Sequence, residues 1–414
     1  MKLEELRVNG KRLQSSLERM AQIGATPGGG VQRVTLTDED RCARDLFVSW
    51  LREIDCSVTV DRMGNIFGRR AGRDDRLPPA MSGSHIDSQP KGGRFDGILG
   101  VMGALEVLRT LHENAVRTER PVVIVNWTNE EGSRFSPAMV GSGVWTGALE
   151  IDWAYGRTDV AGTRLGDELE RIGYCGEAPC RAFPVHSYHE YHIEQGPVLE
   201  RERKTIGVPR GIVSLLWGDV HLTGEGNHAG TTPMDARHDA LVAGAEMIQA
   251  VHRLPATVGG DMVATVGEIR NHPNSRNIIP DTVDFTVDLR AWEGERLHDA
   301  WDRFCSHAAE IAGRHGCAAR LEKTWFVDRT PFDSGLVQRV LAAAEALGYA
   351  HMPWVSGAGH DAAYLSRVCP TAMIFVPSVG GRSHVEVETT RWEDCEAGCN
   401  VLLRCILQSA LDPA

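Results

Sequence analysis

The chain has 414 residues, of which 42% are hydrophobic and 24% are charged, and its formal net charge is −12. This length is sufficient for two or three domains with a large buried core. The acidic balance argues against a nucleic-acid-binding surface. Because no segment approaches ~18 uninterrupted apolar residues, we expect no transmembrane helix and no membrane partner.

The ten cysteines are scattered along the chain, and no two of them form a CxxC pair. This spacing disfavours both a thiolate zinc cluster and a disulfide framework. The charged, helical character of Met1–Arg7 is unlike a secretory signal. We therefore expect a reduced, cytoplasmic setting.

Periodicity in the first third of the chain predicts a unit of strand, helix and strand. A Gly-rich loop at residues 91–97 opens a helix with one apolar face. A short Val/Ile-rich run then predicts a core strand of a parallel sheet. The predicted elements are a helical start, a helix at 40–53, a strand at Ser57–Val60, a helix that continues to about Leu111 and a strand at Val122–Trp127. Together they predict an α/β fold with a mixed, mostly parallel sheet covered by helices.

The pattern changes from about Ile212. Residues 282–290 alternate strictly between polar and apolar, which predicts a half-buried strand of an antiparallel sheet. With helices near 239–253 and 296–315, this indicates an α+β domain at 212–329, inserted into a first domain of residues 1–211 and 330–414. The first domain then resumes with a helix at 335–347, a strand at 371–377 and a closing helix at 393–410.

Two adjacent carboxylates, Glu130 and Glu131, follow directly on the predicted strand Val122–Trp127. The carboxyl end of such a strand is where α/β folds build their sites. Two like charges side by side repel each other and need compensation. A metal ion can provide it, with one carboxylate as a ligand and the other available for proton transfer.

Further candidate metal ligands lie at predicted strand ends or loops of the same domain. Asp96 is also a candidate helix N-cap, and the two roles are compatible because a carboxylate has two oxygens. Asp87 follows His85 by two residues and could hold the other ring nitrogen of that histidine. The candidates are His85, Asp96, the Glu130–Glu131 pair, His192 and His384.

Oxygen and imidazole ligands without thiolates suit zinc, manganese, cobalt or nickel. Five protein ligands exceed the usual three of one catalytic zinc, so a carboxylate shared by two metals would account for the surplus. A dinucleotide site at Gly28–Gly30 or at Gly92–Gly93 is excluded, because neither run has the GxGxxG spacing at a strand-to-helix turn.

Seven motifs lie in order along the chain: GSHIDSQPKGGRFDGILG, WTNEEGSRF, HIEQGPVLE, HAGTTPMDAR, RNIIPDTVDFTVDLR, SGAGHDA and MIFVPSVGGRSHVEVE. They resemble the hydantoinase/carbamoylase family. This family comprises N-carbamoyl-L-amino-acid hydrolases, bacterial β-ureidopropionases and allantoate amidohydrolases, within the wider aminoacylase and carboxypeptidase-G group of dinuclear metallohydrolases. The tail Ser383–Glu388 departs slightly from the family pattern without removing a ligand.

The resemblance implies a zinc-peptidase-like catalytic domain with two divalent metal ions per subunit. Asp96 would bridge the two ions, His85 and His192 would complete one site, and Glu131 with His384 would complete the other. Glu130 would then be the general base.

The resemblance also implies that the inserted domain is a lid that forms a homodimer. His228 would reach the substrate carbonyl from the lid of the neighbouring subunit, and Asn277 and Arg290 would bind the substrate carboxylate. Gln195, Gly359 and His360 match further pocket positions.

The implied reaction is hydrolysis of the carbamoyl C–N bond of an N-carbamoyl-L-amino acid or a related ureido acid. Two alternatives differ from it. An aminoacylase or dipeptidase would cut an N-acyl amide with the same metals, and a silent relative would bind a metal or ligand as a sensor. The complete ligand set together with Glu130 argues against the silent relative.

Overall fold

Residues 3–412 are described in this computed structural model, and they divide into two units. The first unit runs as far as Arg210 and resumes at Pro331, and the second comprises Gly211–Thr330. None of the described helices is long and apolar enough to cross a membrane.

The elements are numbered in chain order. The strands are β1 (Ser57–Val60), β2 (Ile66–Arg70), β3 (Ala80–His85), β4 (Val122–Trp127), β5 (Ser187–Ile193), β6 (Ile206–Ile212), β7 (Ser214–Thr223), β8 (Asn227–His228), β9 (Val263–Thr265), β10 (Ile269–His272), β11 (Ile278–Ile279), β12 (Thr282–Ala291), β13 (Ala318–Val327), β14 (Thr330–Pro331), β15 (His351–Ser356) and β16 (Thr371–Val376). The α-helices are α1 (Gly10–Met20), α2 (Asp38–Arg52), α3 (Ile98–Glu113), α4 (Val140–Trp145), α5 (Ile151–Tyr155), α6 (Leu165–Arg171), α7 (Val198–Arg201), α8 (Ala240–Val258), α9 (Gly294–Arg314), α10 (Ser334–Ala346), α11 (Ala362–Leu365) and α12 (Trp392–Leu411).

A nine-stranded sheet forms the frame of the first unit, in the order β1-β2-β4-β3-β5-β16-β6-β14, with β15 also paired to β6. The neighbours β4, β3, β5 and β16 are mutually parallel, whereas β1, β2 and β6 add antiparallel pairs at the two sides. Every residue of the four parallel strands is buried, as expected for strands covered on both faces. The predicted α/β class with a mixed, mostly parallel sheet is confirmed.

The four parallel strands bring their carboxyl ends to one edge of the sheet. Strand β3 ends at His85, β5 ends one residue after His192, and β4 ends three residues before Glu130. The segment that follows β16 leads to His384. The candidate ligands therefore gather where open α/β sheets build their sites.

A buried ion pair supports the end of β4. Arg44 and Asp40, both fully buried in α2, lie 2.8 Å apart. Arg44 also donates to the carbonyl of Gly64 at 2.7 Å and contacts the Thr128 hydroxyl at 3.3 Å. Since Thr128 directly follows β4, this pair anchors the backbone that leads to Glu130.

The second unit is an antiparallel sheet with two long helices. Its strand order is β10-β12-β7-β13, with β9 paired to β12. Strand β12 alternates as predicted, because Val283, Phe285, Val287 and Leu289 are buried in a core with residues of α8 and α9. Two short strands, β8 and β11, form a separate antiparallel ribbon.

Helix α8 continues past its predicted end near residue 253. Pro255 lies inside the helix and donates no backbone hydrogen bond. Burial of Leu254 in the core nevertheless holds this last turn in place. The helix ends at Val258, and its C-cap is Gly259, whose φ of 77° suits glycine.

Candidate functional site

Two histidines at the carboxyl edge of the sheet present the same nitrogen to Asp96. The Nδ1 atoms of His85 and His192 lie 2.9 Å from the backbone carbonyls of Asp87 and Ile193, respectively. A carbonyl can only accept, so each Nδ1 carries a proton, and Nε2 is the nitrogen that faces Asp96 and that can bind a metal once it is deprotonated. Oδ1 of Asp96 lies 4.0 Å from Nε2 of His85 and 3.1 Å from Nε2 of His192.

The second oxygen of Asp96 faces a different pair of residues. Oδ2 lies 3.2 Å from Nε2 of His384, and the same nitrogen lies 3.6 Å from Oε2 of Glu131. The five predicted ligands thus form two groups that share Asp96, and within each group the ligand atoms lie within 4.8 Å of one another. A carboxylate with one oxygen directed to each group has the geometry of a bridge between two ions.

Asp96 is not the N-cap of α3. The cap position belongs to Gly97, with φ 66° and ψ −53°, and no side chain caps the helix. The Ile98 amide donates to the carbonyl of Asp96 at 2.7 Å, which closes a γ-turn around Gly97. This tight turn satisfies the first helical amide through the backbone, so both carboxylate oxygens of Asp96 remain directed into the site.

Asp87 supports His85 through a different atom from the one expected. Its backbone carbonyl accepts from His85, whereas its carboxylate oxygen is 3.7 Å from the same Nδ1 atom. The carboxylate instead accepts the backbone N–H groups of Glu130 and Glu131, each at 3.4 Å. The chain bends after β3 ends at His85, and this bend brings the carbonyl closer to the ring than the side chain.

Glu130 is buried at the edge of the first group, with Oε2 3.5 Å from Nε2 of His85. The preceding residue, Asn129, has a left-handed φ of 59°. Asparagine tolerates this conformation better than most residues. The Asn129 side chain donates to the carbonyls of Phe135 and Pro137 at 2.8 and 3.2 Å, which holds the turn that directs Glu130 inward.

The buried carboxylates repel one another. Burial raises the pKa of Glu130 well above its usual range, and the charges of Asp361 and Glu131 raise this pKa further. Burial also raises the pKa of Glu131 to about 8 and that of Asp87 to about 7. Burial works in the same direction on Asp96, but hydrogen bonds from His192 and His384 outweigh it and lower the pKa of that residue.

The donor set fits divalent metal ions. It consists of three imidazole nitrogens and two carboxylates, without a thiolate, which suits zinc, manganese, cobalt or nickel. Positive charge in the centre would also offset the repulsion that raises the pKa of Glu130.

The predicted pocket residues of the first unit lie near these groups. The Gln195 amide nitrogen is 3.0 Å from Oδ2 of Asp96 and 3.3 Å from Nε2 of His384. The ring of His360 is buried, with its centroid 4.6 Å from that of His192. Gly359 precedes His360 and is exposed.

The other predicted substrate residues belong to the second unit. His228 is exposed on β8 and pairs with β11, and the Ala229 amide donates to the carbonyl of Asn277 at 2.9 Å. His228 and Asn277 are therefore neighbours. Arg290, on β12, holds the carboxylate of Asp288 with two contacts of 3.0 and 2.8 Å.

Sequence reasoning missed two buried acids beside the site. Asp361 accepts a hydrogen bond from Ser142, and Glu190 accepts the Ala362 amide at 2.9 Å. Asp361 directly follows His360 in the SGAGHDA motif, which was the available signal. It also missed Glu388, which accepts the backbone amide of Asp96 at 3.0 Å.

Comparison with known proteins agrees with this architecture. The model described as Peptidase family M20/M25/M40 matches residues 81–408. The chain belongs to this family. It is 46% identical over 412 residues to the N-carbamoyl-L-amino-acid amidohydrolase of Rhizobium meliloti, with 98% of each chain covered. It is 31% identical over 420 residues to the ureidoglycolate hydrolase of Arabidopsis thaliana, covering 98% of this chain and 88% of that one.

Among solved structures, an amidase of the hydantoinase/carbamoylase family from Burkholderia multivorans is similar, with a TM-score of 0.95 and 50% identity. The match covers 99% of this chain and 100% of that one. The family resemblance inferred from the seven motifs is confirmed, and so is the inference that this M20 protein is an amidohydrolase.

The first prediction concerns Gly97. A Cβ at this position would lie 2.2 Å from Nε2 of His85. We expect Gly97→Ala to displace the imidazole and to lower hydrolytic activity by at least ~10²-fold, as small misplacements in active sites do. Steady-state rates and thermal unfolding would measure the effect.

Gly147→Ala is the matched control, because Gly147 has a φ of 78° and nothing within 4 Å of a Cβ. It should lose about 1–2 kcal/mol of stability through backbone strain alone and keep its activity. Wild-type activity in Gly97→Ala would contradict the close packing of Gly97 against His85.

Proposed function

We propose that this M20 enzyme hydrolyses the carbamoyl C–N bond of an N-carbamoyl-L-amino acid or a related ureido acid. Water adds to the ureido carbonyl, the amino acid leaves, and the resulting carbamate decomposes to carbon dioxide and ammonia. The observation that carries the proposal is the shared carboxylate of Asp96 between two ligand groups, with Glu130 beside it. The full-length similarity to a carbamoylase points to the ureido class of substrate.

The proposed metal ligands are the five residues of the two groups. His85, Asp96 and His192 would hold one divalent ion, and Asp96, Glu131 and His384 would hold the other. The ions, which we propose to be zinc, manganese, cobalt or nickel, would supply Lewis acidity for the carbonyl and lower the pKa of water.

Glu130 is the proposed general base. Its carboxylate lies beside the first group, 3.5 Å from Nε2 of His85, but it is absent from both ligand sets. It can therefore take a proton from the attacking water and pass it to the leaving nitrogen, a role typically worth roughly 10²–10⁴ in rate. Glu131 cannot do this while it serves as a metal ligand.

Asn277 and Arg290 are the proposed carboxylate-binding residues. The planar guanidinium of Arg290 suits a carboxylate with two parallel hydrogen bonds. Its contacts with Asp288, 3.0 and 2.8 Å long, orient the group before substrate arrives. Gln195, Gly359 and His360 are proposed to line the remainder of the pocket.

We further propose that the second unit is a lid that forms a homodimer, and that His228 serves the site of the neighbouring subunit. His228 is exposed, and its Nδ1 accepts the Gly230 amide at 3.0 Å. This contact fixes the ring and leaves Nε2 as the atom to donate to a developing oxyanion. One such donor is often worth about 3 kcal/mol.

An N-acyl amide is the alternative substrate class, because the same centre would serve an aminoacylase or dipeptidase and the matching family is named for peptidases. The second prediction separates the two classes. With metal-reconstituted enzyme, N-carbamoyl-L-amino acids should release ammonia faster than the matching N-acetyl-L-amino acids release acetate. Coupled ammonia and acetate assays across the same side chains measure this, and absence of ammonia from every ureido compound would refute the carbamoylase proposal.

The third prediction tests the division of roles between the two glutamates. Glu130→Gln should lose at least ~10²-fold in kcat because the base is gone, while its metal content stays that of the wild type. Glu131→Gln, the matched neighbour, should lose metal as well as turnover. Steady-state kinetics and metal analysis of both variants check this, and unchanged turnover in Glu130→Gln would exclude it as the base.

The fourth prediction tests the shared site. Glu130→Gln and His228→Ala homodimers should each be nearly inactive, yet mixing them should restore about a quarter of wild-type activity. Random exchange makes half of the dimers mixed, and each mixed dimer would hold one intact site. If His228 served its own subunit, mixing would restore nothing. Sequential affinity purification of differently tagged subunits must show that the subunits have exchanged.

A further inference from the structure

Glu388 is a buried carboxylate that joins two separate segments of the candidate metal centre. It is 1% exposed. Oε1 accepts the backbone amides of Phe95 and Asp96 at 3.2 and 3.0 Å, and Oε2 accepts the hydroxyl of Ser383 at 2.9 Å. One carboxylate therefore contacts the residue before each of two candidate ligands, Asp96 and His384, and the backbone of Asp96 itself.

Ser383 extends this contact to the ligand atom. Its Oγ lies 3.2 Å from Oδ2 of Asp96, the oxygen that faces His384. The hydroxyl has a single proton, which Glu388 or Asp96 can accept. Glu388 and Ser383 together therefore hold the segment of Asp96 next to the segment of His384.

The surrounding loops are shaped to admit this carboxylate. A Cβ on Gly93 would lie 1.9 Å from Oε1 of Glu388, so only glycine fits at that position. On the neighbouring segment, a Cβ on Gly30 would lie 2.3 Å from the carbonyl of Gly92 and 2.6 Å from Cα of Glu386. The glycine runs at residues 28–30 and 92–93, which fit no nucleotide motif, allow these backbones to approach one another.

We propose that Glu388 is a positioning residue for the metal centre. By fixing the Asp96 backbone and the Ser383 hydroxyl at once, it sets the spacing of Asp96 and His384 and thereby the affinity of the group formed by Asp96, Glu131 and His384. The inference rests on the proposed metal centre. Glu388 is buried and acts through Phe95, Asp96 and Ser383, whereas Asp87 acts on His85 and the Glu130–Glu131 backbone.

The experiment is a titration of metal-free protein with Co²⁺ alone, followed by calorimetry and by visible absorption of the bound cobalt. The wild type should bind two ions. Glu388→Gln keeps an oxygen for the two amides but presents an NH₂ group to Ser383. We expect it to lower the affinity of the ion at the group of Asp96, Glu131 and His384 by ~10–100-fold, as loss of a hydrogen-bond partner of metal ligands does. The other ion should bind with near wild-type affinity.

Glu386→Gln is the matched control, because Glu386 is two residues away and belongs to neither ligand group. It should bind both ions like the wild type. Ser383→Ala should lower the affinity for the same ion as Glu388→Gln does. The double variant should lose less binding free energy than the sum of the losses in the two single variants. Thermal unfolding of the metal-free proteins separates altered metal binding from general destabilisation, and if Glu388→Gln fails to fold, Ser383→Ala decides.

Wild-type Co²⁺ affinities in both Glu388→Gln and Ser383→Ala would overturn the inference while leaving the metal centre intact. Equal weakening by Glu386→Gln would overturn it as well, because the effect would then be a general one. Failure of the proposed centre has a different signature, in which Asp96→Asn retains both ions at wild-type affinity.

Discussion

Repulsion among buried carboxylates at the carboxyl edge of the parallel sheet governs most of the contacts around the candidate metal centre. Asp87, Asp96, Glu130 and Glu131 are brought together there, and burial with mutual repulsion raises the pKa of Glu130 well above its usual range. Such a cluster is stable only if its charges are offset. Two histidines on Asp96 provide part of the compensation, and the donor set is suited to divalent ions that would provide the rest.

Much of the surrounding structure holds these acids through backbone groups. The amides of Glu130 and Glu131 point to Asp87, and those of Phe95 and Asp96 point to Glu388. Backbone donors have fixed positions and cost no side-chain entropy, so they hold a charged group without adding flexible partners. Tight turns make the arrangement possible, which explains why glycines recur around the site.

The two units carry different parts of the proposed site. The first contains the candidate metal ligands and Glu130 at the carboxyl edge of its sheet, whose four parallel strands are fully buried. The second carries His228, Asn277 and Arg290 on its own ribbon and sheet. A centre of this kind can cut several amides, so selectivity between ureido and acyl substrates depends on the residues around the centre more than on the ligands themselves.

Sequence patterns predicted the fold class, the main helices and strands around the site and the five candidate ligands, because periodicity and strand-end chemistry are local properties of the chain. The sequence also placed Glu130 beside Glu131. The atoms that meet are known only from the folded chain: the carbonyl of Asp87 contacts His85, Gly97 replaces Asp96 as the helix cap, and Glu388 accepts an amide 292 residues away in the chain. These contacts follow from the order of strands in the sheet and from the path of the loops, and local sequence patterns predict neither of them.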